Sequence, residues 1–498
     1  MTAATSMLAI DLGAQSGRVM LGRFDGRRLS ATEVHRFANV PVAVGDRLHW
    51  DVLGLHASTL TGMRAARLAG GDEIASVAVD TWGLDFALLD RDDRLVANPV
   101  HHRDRRTDTA MADVHERIPA RRLYELTGIQ MMAVNTLYQL WAMASTHDPA
   151  LEAASSLVMM PDLFNQWLCG VRACEFTGVT TTQCYDPRAG AWAWEVIDAL
   201  GLPARLFGEC IAPASVLGDL SALVAAETGI EGARVIAAAG HDTAAAVAAV
   251  PFRRADSVYI SSGTWSLVGL EIPAPRIDEG TFAANLTNEG GVAGTFRLLR
   301  NVTGLWLLHE CRRAWAHERA WGFGELAELA ESAPPLACLI DPNDAVFLAP
   351  GDMPARVREY CAATAQPVPR DEASVVRCIL ESLALKYRHT IDLLASASGL
   401  APREVHIVGG GARNRQLCQW TADAVGLPVL AGPVEAASIG NLAVQAMALG
   451  ELHSLAQARE LVRNSFAVEV YEPRARERWD EAFVRFEAIA AARAAGAP

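Results

Sequence analysis

Asp242 stands in the run GHDTA, after the apolar RVIAAA and before the alanine-rich TAAAVAAV. A carboxylate at such a junction has two uses. It can cap the helix that follows, which aspartate does well, or it can serve as a general base at a helix N-terminus. His241 beside it is either a substrate contact or a packed ring. A second polar cluster is DLGAQSGR, where Asp11 ends an apolar run, Ser16 adds a hydroxyl and Arg18 a charge. Gly13 and Gly17 let backbone amides turn inward, and such nests bind phosphate oxygens. A strand-end carboxylate can hold Mg²⁺ through water. The plainer reading is a hairpin with incidental polar residues, although a hairpin needs only a glycine or an Asn-Gly pair.

Three further stretches carry candidate chemistry. SSGTWS, with Ser261, Ser262, Gly263, Thr264 and Ser266, repeats the glycine-turned, hydroxyl-rich layout. VGGGARN places Gly409, Gly410 and Gly411 where a ring or a phosphate can approach the backbone, or where a strand packs closely on a helix. DTWGLDF sets Trp82 and Gly83 between Asp80 and Asp85, which suits a sugar face or a core tryptophan. HHRDRRT, from His101, reads as a solvated charged loop or as part of a site. Neither G-x-G-x-x-G nor G-x-x-x-x-G-K-[ST] occurs at these glycines, so neither a dinucleotide fingerprint nor a P-loop is present.

The elements that must position these residues alternate. MLAIDLG, RVMLGRF and ATEVHRFANV read as strands, the stretch 53–68 as a helix, and IASVAVDTWGLDFALLD as strand, polar turn and strand. Helical segments follow, then RVIAAAGHDTAAAVAAV reads as a strand entering a helix. The pattern restarts at DSVYISSGTWSLVGLEI, and REVHIVGGGARNRQLCQWTADAVGLPVLAGP reads strand, glycine loop, helix, strand. Strands alternating with helices imply an α/β fold. The restart predicts two domains with a boundary in 251–256, closed by a charged helical tail over 473–495.

A chain of 498 residues exceeds one hydrophobic core. Its formal charge of -14 argues against nucleic acid and anionic membranes as partners. No apolar run is long enough to cross a bilayer, and MTAATS lacks the regions of a signal peptide, so a cytoplasmic protein is expected. The nine cysteines show no C-x-x-C and no zinc spacing; they are expected reduced, and Cys361 and Cys378 could pair only in an oxidising setting.

These blocks, in this order, resemble the FGGY sugar kinases of the actin/hexokinase/Hsp70-like superfamily. The resemblance rests on IDLGAQSGRVML, VDTWGLDFALLD, GHDTAAAV, YISSGTWSLVG, NLTNEGG, NVTGLWLL, HIVGGGARN and AGPVEAASIGN, and spans roughly residues 7–471. It implies two RNase-H-like domains with mixed β-sheets flanked by helices, over 6–252 and 253–455, with a helical tail over 456–498. Nucleotide and sugar are expected in the cleft between them. It implies ATP and Mg²⁺, with Asp11 supporting the metal and Ala14, Gln15, Ser16, Gly17 and Arg18 forming a phosphate hairpin. Thr264, His309 and Gly410 would serve the nucleotide. Gly83, His241, Asp242, Thr243 and Asn301 would serve the sugar, with Asp242 as base. His309 stands where the family often has glutamine, and His102 replaces the tyrosine of a Tyr-Arg-Asp run. The reaction implied is phosphorylation of a ketose, L-rhamnulose at its 1-hydroxyl. L-fuculose, a pentulose, or a sugar-free actin-like ATPase are the alternatives.

Overall fold

The computed structural model describes residues 4–70 and 73–495. The chain opens with β1 (Thr5–Leu12), β2 (Ser16–Phe24) and β3 (Leu29–Ala38), an antiparallel meander. Seven of the eight β1 residues are buried. A strand covered on both faces reads as a continuous apolar run rather than an alternating one, and MLAI does so. Helix α1 (Val52–Gly70) then crosses over to β4 (Ile74–Thr81), which lies parallel to β1. After α2 (Met160–Cys169) come β5 (Ser215–Asp219), β6 (Arg234–Ala237) and α3 (Asp242–Ala248). This sheet has the order β5-β6-β4-β1-β2-β3.

The pattern restarts with the hairpin of β7 (Ser257–Ser262) and β8 (Trp265–Ile272), followed by β9 (Phe296–Thr303) and α4 (Trp306–Trp315). Helices α5 (Met353–Ala363) and α6 (Glu372–Ser398) lead to β10 (Glu404–Val408), parallel to β7. Then come α7 (Arg415–Val425), β11 (Val429–Ala431), α8 (Ala436–Ala448), β12 (Glu469–Tyr471) and α9 (Arg476–Ala495). The second sheet runs β9-β8-β7-β10-β11-β12, with the short strand Thr287–Gly290 next to β9 at its edge. Helix α9 is the predicted charged tail; Trp479, Ala482 and Phe486 on it are buried with Ala384, Leu385 and Leu339.

Two compact units result. One holds Met1–Pro251, Glu271–Leu298 and Ala436–Ser465; the other holds Phe252–Leu270, Leu299–Glu435 and Phe466–Pro498. The chain thus passes between units where the sequence restarts, but it returns to the first unit twice. The reason for the second return lies in α8. Its Ile439, Leu442, Ala443 and Val444 are buried, and Ser438, Asn441 and Gln445 form a polar stripe at helical spacing. That stripe is used inside the first unit. Gln445 accepts a hydrogen bond from Ser76 Oγ (2.6 Å) and donates to the Leu8 carbonyl (2.9 Å). Helix α8 also crosses α3 closely at Gly440, where a Cβ would run into the Ala245 carbonyl oxygen. Backbone cannot yield as a side chain can, so Gly440→Ala is expected to cost about 1–3 kcal/mol by overpacking. Denaturant unfolding of the purified variant checks this.

Candidate active site

Parallel pairing of β1 and β4 sets Asp11 opposite Asp80, and antiparallel pairing sets Arg18 opposite Asp11. The Arg18 guanidinium donates twice to Asp11 Oδ2, at 2.9 and 2.7 Å, and Ser438 Oγ donates to the same oxygen at 2.9 Å. Asp80 is fully buried. Its Oδ2 accepts from Asn441 (2.6 Å), while Oδ1 has no partner. Burial and the neighbouring Asp11 carboxylate push the Asp80 carboxyl well up, against the Asn441 bond. The sequence reading singled out Asp11 and Arg18, but offered Asp80 only to a sugar face beside Trp82 and gave it no part with Asp11. The signal was its place in VDTWG, a second acid ending a second buried strand.

The hairpin tip is Ala14, Gln15 and Ser16. Gly13 N–H donates to the Ser16 carbonyl (3.0 Å) and Asn39 N–H to the Gln15 carbonyl (3.0 Å). Neither Gly13 nor Gly17 has a positive φ, so the turn is made without a left-handed residue. Gly17 is small for another reason: a Cβ there would meet the Phe37 ring on β3.

Thr81 pairs with His241 in a parallel bridge, which carries β6 and the start of α3 to the same strand ends. Asp242 is the first residue of α3. The cap position belongs to His241, whose side chain makes no capping bond. The capping reading of Asp242 is therefore not realised, and its carboxylate is left for other work. Thr243 Oγ1 donates to Asp242 Oδ1 (3.1 Å), and the Asp242 side chain is 30% exposed. Gly83 lies against the His241 ring, where a Cβ would come within 3.3 Å of Nε2. So Gly83, His241, Asp242 and Thr243 are brought together.

Two residues absent from the sequence reading complete this group. Arg297, with no solvent exposure, donates from Nε to the Gly290 carbonyl (2.9 Å) and from Nη2 towards His241 Nδ1 (3.1 Å). Glu289 Oε2 lies 3.1 Å from Arg297 Nη2 and 3.4 Å from His241 Nδ1. Arginine only donates, so Nδ1 of a neutral His241 accepts and its hydrogen sits on Nε2, 3.5 Å from Asp242 Oδ1. Burial opposes charge on Glu289, yet the Arg297 guanidinium holds its carboxyl below the usual range. Glu289 lay in the quoted NEGG; nothing in the local sequence marks Arg297.

Burial raises the Asp242 carboxyl; His241 opposes that rise and the Asp11 charge adds to it. Acting as a general base, Asp242 would have to be ionised, so activity would fall as pH drops through this raised value. The acid limb of kcat/KM is expected above the ordinary aspartate range, and His241→Asn should move it higher still. A pH–rate profile of both proteins measures this.

Around Asp85 the first unit holds a buried aromatic network. Asp85 Oδ2 accepts from Trp50 Nε1 (2.8 Å), Trp82 Nε1 (2.8 Å) and His102 Nδ1 (2.7 Å), while Oδ1 has no partner. Trp82 is 6% exposed and stacks on Trp50 at 4.0 Å, so it is a core residue and offers no open face. His101, His102 and Asp104 are buried too, which corrects the solvated-loop reading. Burial, with His102 beside it, takes His101 down to about 3, so its ring is neutral.

The second unit gathers its own candidates. Gly263 N–H donates to the Trp265 carbonyl (2.8 Å), and the Thr264 carbonyl accepts from Trp306 N–H (3.1 Å) at the start of α4. Gly409 (φ 81°) and Gly411 press on Ser262, whereas Gly410 faces open space. His309, on α4, is driven down to about 4 by burial, so its imidazole is neutral; its ring packs against Phe323 with centroids 4.6 Å apart and planes tilted by 56°. The Asn301 carbonyl accepts from Asn343 Nδ2 (3.4 Å).

Carboxylates at strand ends and at a helix start lie in the first unit, and a glycine-turned hairpin and a glycine loop in the second. Residues 6–249 match the FGGY family of carbohydrate kinases, N-terminal domain, and residues 258–449 match the C-terminal domain of the same family. The chain belongs to the FGGY family of carbohydrate kinases, and it is a sugar phosphotransferase that uses ATP. It is 42% identical to the rhamnulokinase of Bacteroides thetaiotaomicron over 97% of this chain and 99% of that one. It is 40% identical to the rhamnulokinase of Pectobacterium carotovorum over 98% and 97%. Among solved structures, a gluconate kinase from Lactobacillus acidophilus matches with a TM-score of 0.82 at 16% identity, covering 99% of both chains. A xylulose kinase from the same organism matches with a TM-score of 0.83 at 15% identity and the same coverage. Among the described residues no helix is long and apolar enough to cross a membrane.

Proposed function

We propose that this chain transfers the γ-phosphoryl group of ATP to the 1-hydroxyl of L-rhamnulose, giving L-rhamnulose 1-phosphate and ADP. What carries the choice of sugar is identity of about 40% to rhamnulokinases along nearly the whole chain. The sugar agrees with a base that serves one primary alcohol: in this 6-deoxy ketose only C1 bears one.

Asp242 accepts the proton of the C1 hydroxyl as the oxygen–phosphorus bond forms and the bond to ADP breaks. Thr243, donating to Asp242 Oδ1, and His241, with its hydrogen on Nε2, orient that carboxylate. Gly83 leaves room beside His241 for a sugar hydroxyl. Ala14, Gln15, Ser16 and Gly17 offer the triphosphate backbone amides and a hydroxyl, with Arg18 as the nearby positive charge. Thr264, Gly410 and the neutral His309 serve the nucleotide, and Asn301 the sugar.

The donor set of the first unit fits Mg²⁺. Three carboxyl groups, of Asp11, Asp80 and Asp242, stand with Arg18 as their nearby cation; each would ionise more readily beside a bound cation, and Asp80 Oδ1 is buried without a partner. Among the described residues the three do not close into a cluster of ligand atoms mutually within 4.8 Å, which suits an ion that keeps its waters. Asp11 would hold it. When bound, the ion neutralises phosphate charge.

The test is a panel of ketoses with ATP and Mg²⁺, reading ADP release. The highest kcat/KM is expected for L-rhamnulose. A preference for L-fuculose or a pentulose would replace the sugar and keep the mechanism, and ADP release independent of sugar would replace both.

A further inference from the structure

The backbone that carries Asp242 is held by side chains from a distant turn of the first unit. Glu175 ends a two-residue strand, and a single helical turn, Phe176–Val179, follows it. Glu175 and Thr177 are both buried. Glu175 caps its own turn, accepting from Thr177 N–H (2.9 Å) and Gly178 N–H (3.3 Å). Capping asks no more of it. The same carboxylate also accepts from Gly240 N–H (2.9 Å), 65 residues along the chain, and from Thr177 Oγ1 (2.5 Å). That hydroxyl in turn accepts from His241 N–H at 3.1 Å. Thr81 N–H donates to the Gly240 carbonyl at 2.8 Å. The peptide joining Gly240 to His241 is thus bonded at its oxygen and at its nitrogen, one residue before Asp242. Glycine permits this approach: a Cβ at Gly240 would stand 2.9 Å from Glu175 Oε2 and 2.8 Å from the Pro161 ring. Two more hydroxyls of the same segment serve the residues around His241. Thr180 Oγ1 accepts from Gly290 N–H (2.7 Å), next to Glu289, and Thr181 Oγ1 from Leu84 N–H (3.3 Å), next to Gly83.

We infer that Glu175 and Thr177 are positioning residues for phosphoryl transfer, fixing the backbone from which the Asp242 carboxylate reaches the sugar hydroxyl. The inference rests on the reading of Asp242 as base. Both side chains act through Gly240 and His241, so their loss displaces the base and leaves the binding contacts of sugar and nucleotide. Misplacing a reacting group by about 1 Å can cost about 10²-fold in rate, and the cost falls on kcat.

The experiment uses the full-length protein, ATP and the ketose of highest kcat/KM. Thr177→Val keeps the size of the side chain and removes its hydroxyl. It should lower kcat by about 10–10²-fold with both KM values held, and Thr177→Ser, which restores the hydroxyl, should return kcat towards wild type. Thr182→Val is the control. Thr182 is buried in the turn that follows, and its hydroxyl bonds locally, to the Val179 carbonyl (2.6 Å) and Cys184 N–H (3.1 Å). Its kcat should stay at the wild-type value. Glu175→Gln sets an NH₂ against one of the N–H donors and should lower kcat in the same sense, which carries the test if Thr177→Val does not fold. Added to Asp242→Asn, Thr177→Val should lower kcat little further, because the group it positions is already gone. Wild-type turnover in Asp242→Asn alone would overturn the base assignment underneath. With Asp242→Asn impaired, the inference itself is overturned by wild-type kcat in Thr177→Val or Glu175→Gln, by equal losses in Thr177→Val and Thr182→Val, by a loss confined to KM, or by losses that add in the Asp242→Asn background.

Discussion

Replacing Asp242 with asparagine should lower kcat by about 10²–10⁴ and leave the binding of sugar and ATP in place. Asparagine keeps the shape of the side chain and can still accept from Thr243 Oγ1, but it cannot take a proton. The structure removes the competing explanation for the residue. His241 holds the cap position of α3, so loss of the Asp242 carboxylate strips no cap from the helix. Stability should therefore change little, and a fall in turnover reads as chemistry. Coupled ADP-release kinetics give kcat, and calorimetry gives the two affinities. Turnover at the wild-type rate would remove Asp242 from the role of base.

Arg297→Met should cost stability rather than chemistry alone. The guanidinium has no solvent exposure and sits 3.1 Å from the buried Glu289 carboxylate. Breaking a buried pair by deleting one partner typically costs about 3–5 kcal/mol, because the other charge stays buried and unpaired. The double variant Arg297→Met/Glu289→Gln leaves no such orphan and should recover much of the loss. Denaturant unfolding of the wild type, both single variants and the double variant closes the cycle. A single variant as stable as wild type would show that the ion pair supports nothing. His241 loses its Nδ1 donor in Arg297→Met, so the acid limb of the remaining activity should move as well.

The α/β pattern, the two hairpins, the strand–glycine loop–helix segment and the terminal helix were legible in the sequence because each is encoded locally, by a run of apolar residues broken by glycine or a polar turn. Asp11, Gly83, His241, Asp242 and Thr243 stood out because they sit at the ends of such runs. What escaped was set by pairing at a distance. Glu289 and Arg297 reach His241 across roughly fifty residues of chain, and burial on that scale leaves no local mark. Trp82 looked like an open ring because its neighbours are polar, yet one of them, Asp85, turns inward to accept from its indole N–H. Gly17 is small because of Phe37 on the neighbouring strand, not because a phosphate must come near.

Helix α8 carries the last consequence. Ser438 steadies Asp11, Asn441 steadies Asp80, and Gln445 ties Ser76 to the Leu8 carbonyl. All these partners are made before residue 81, and the helix that completes them is translated more than 350 residues later. A ribosome that has released everything up to Pro251 has released strands whose acidic ends still lack their buttress. The portion ending at Pro251 is thus no independent module. Expressed by itself, it should expose the flank that α8 covers, and supplying the remainder of the polypeptide in trans should be needed to close it.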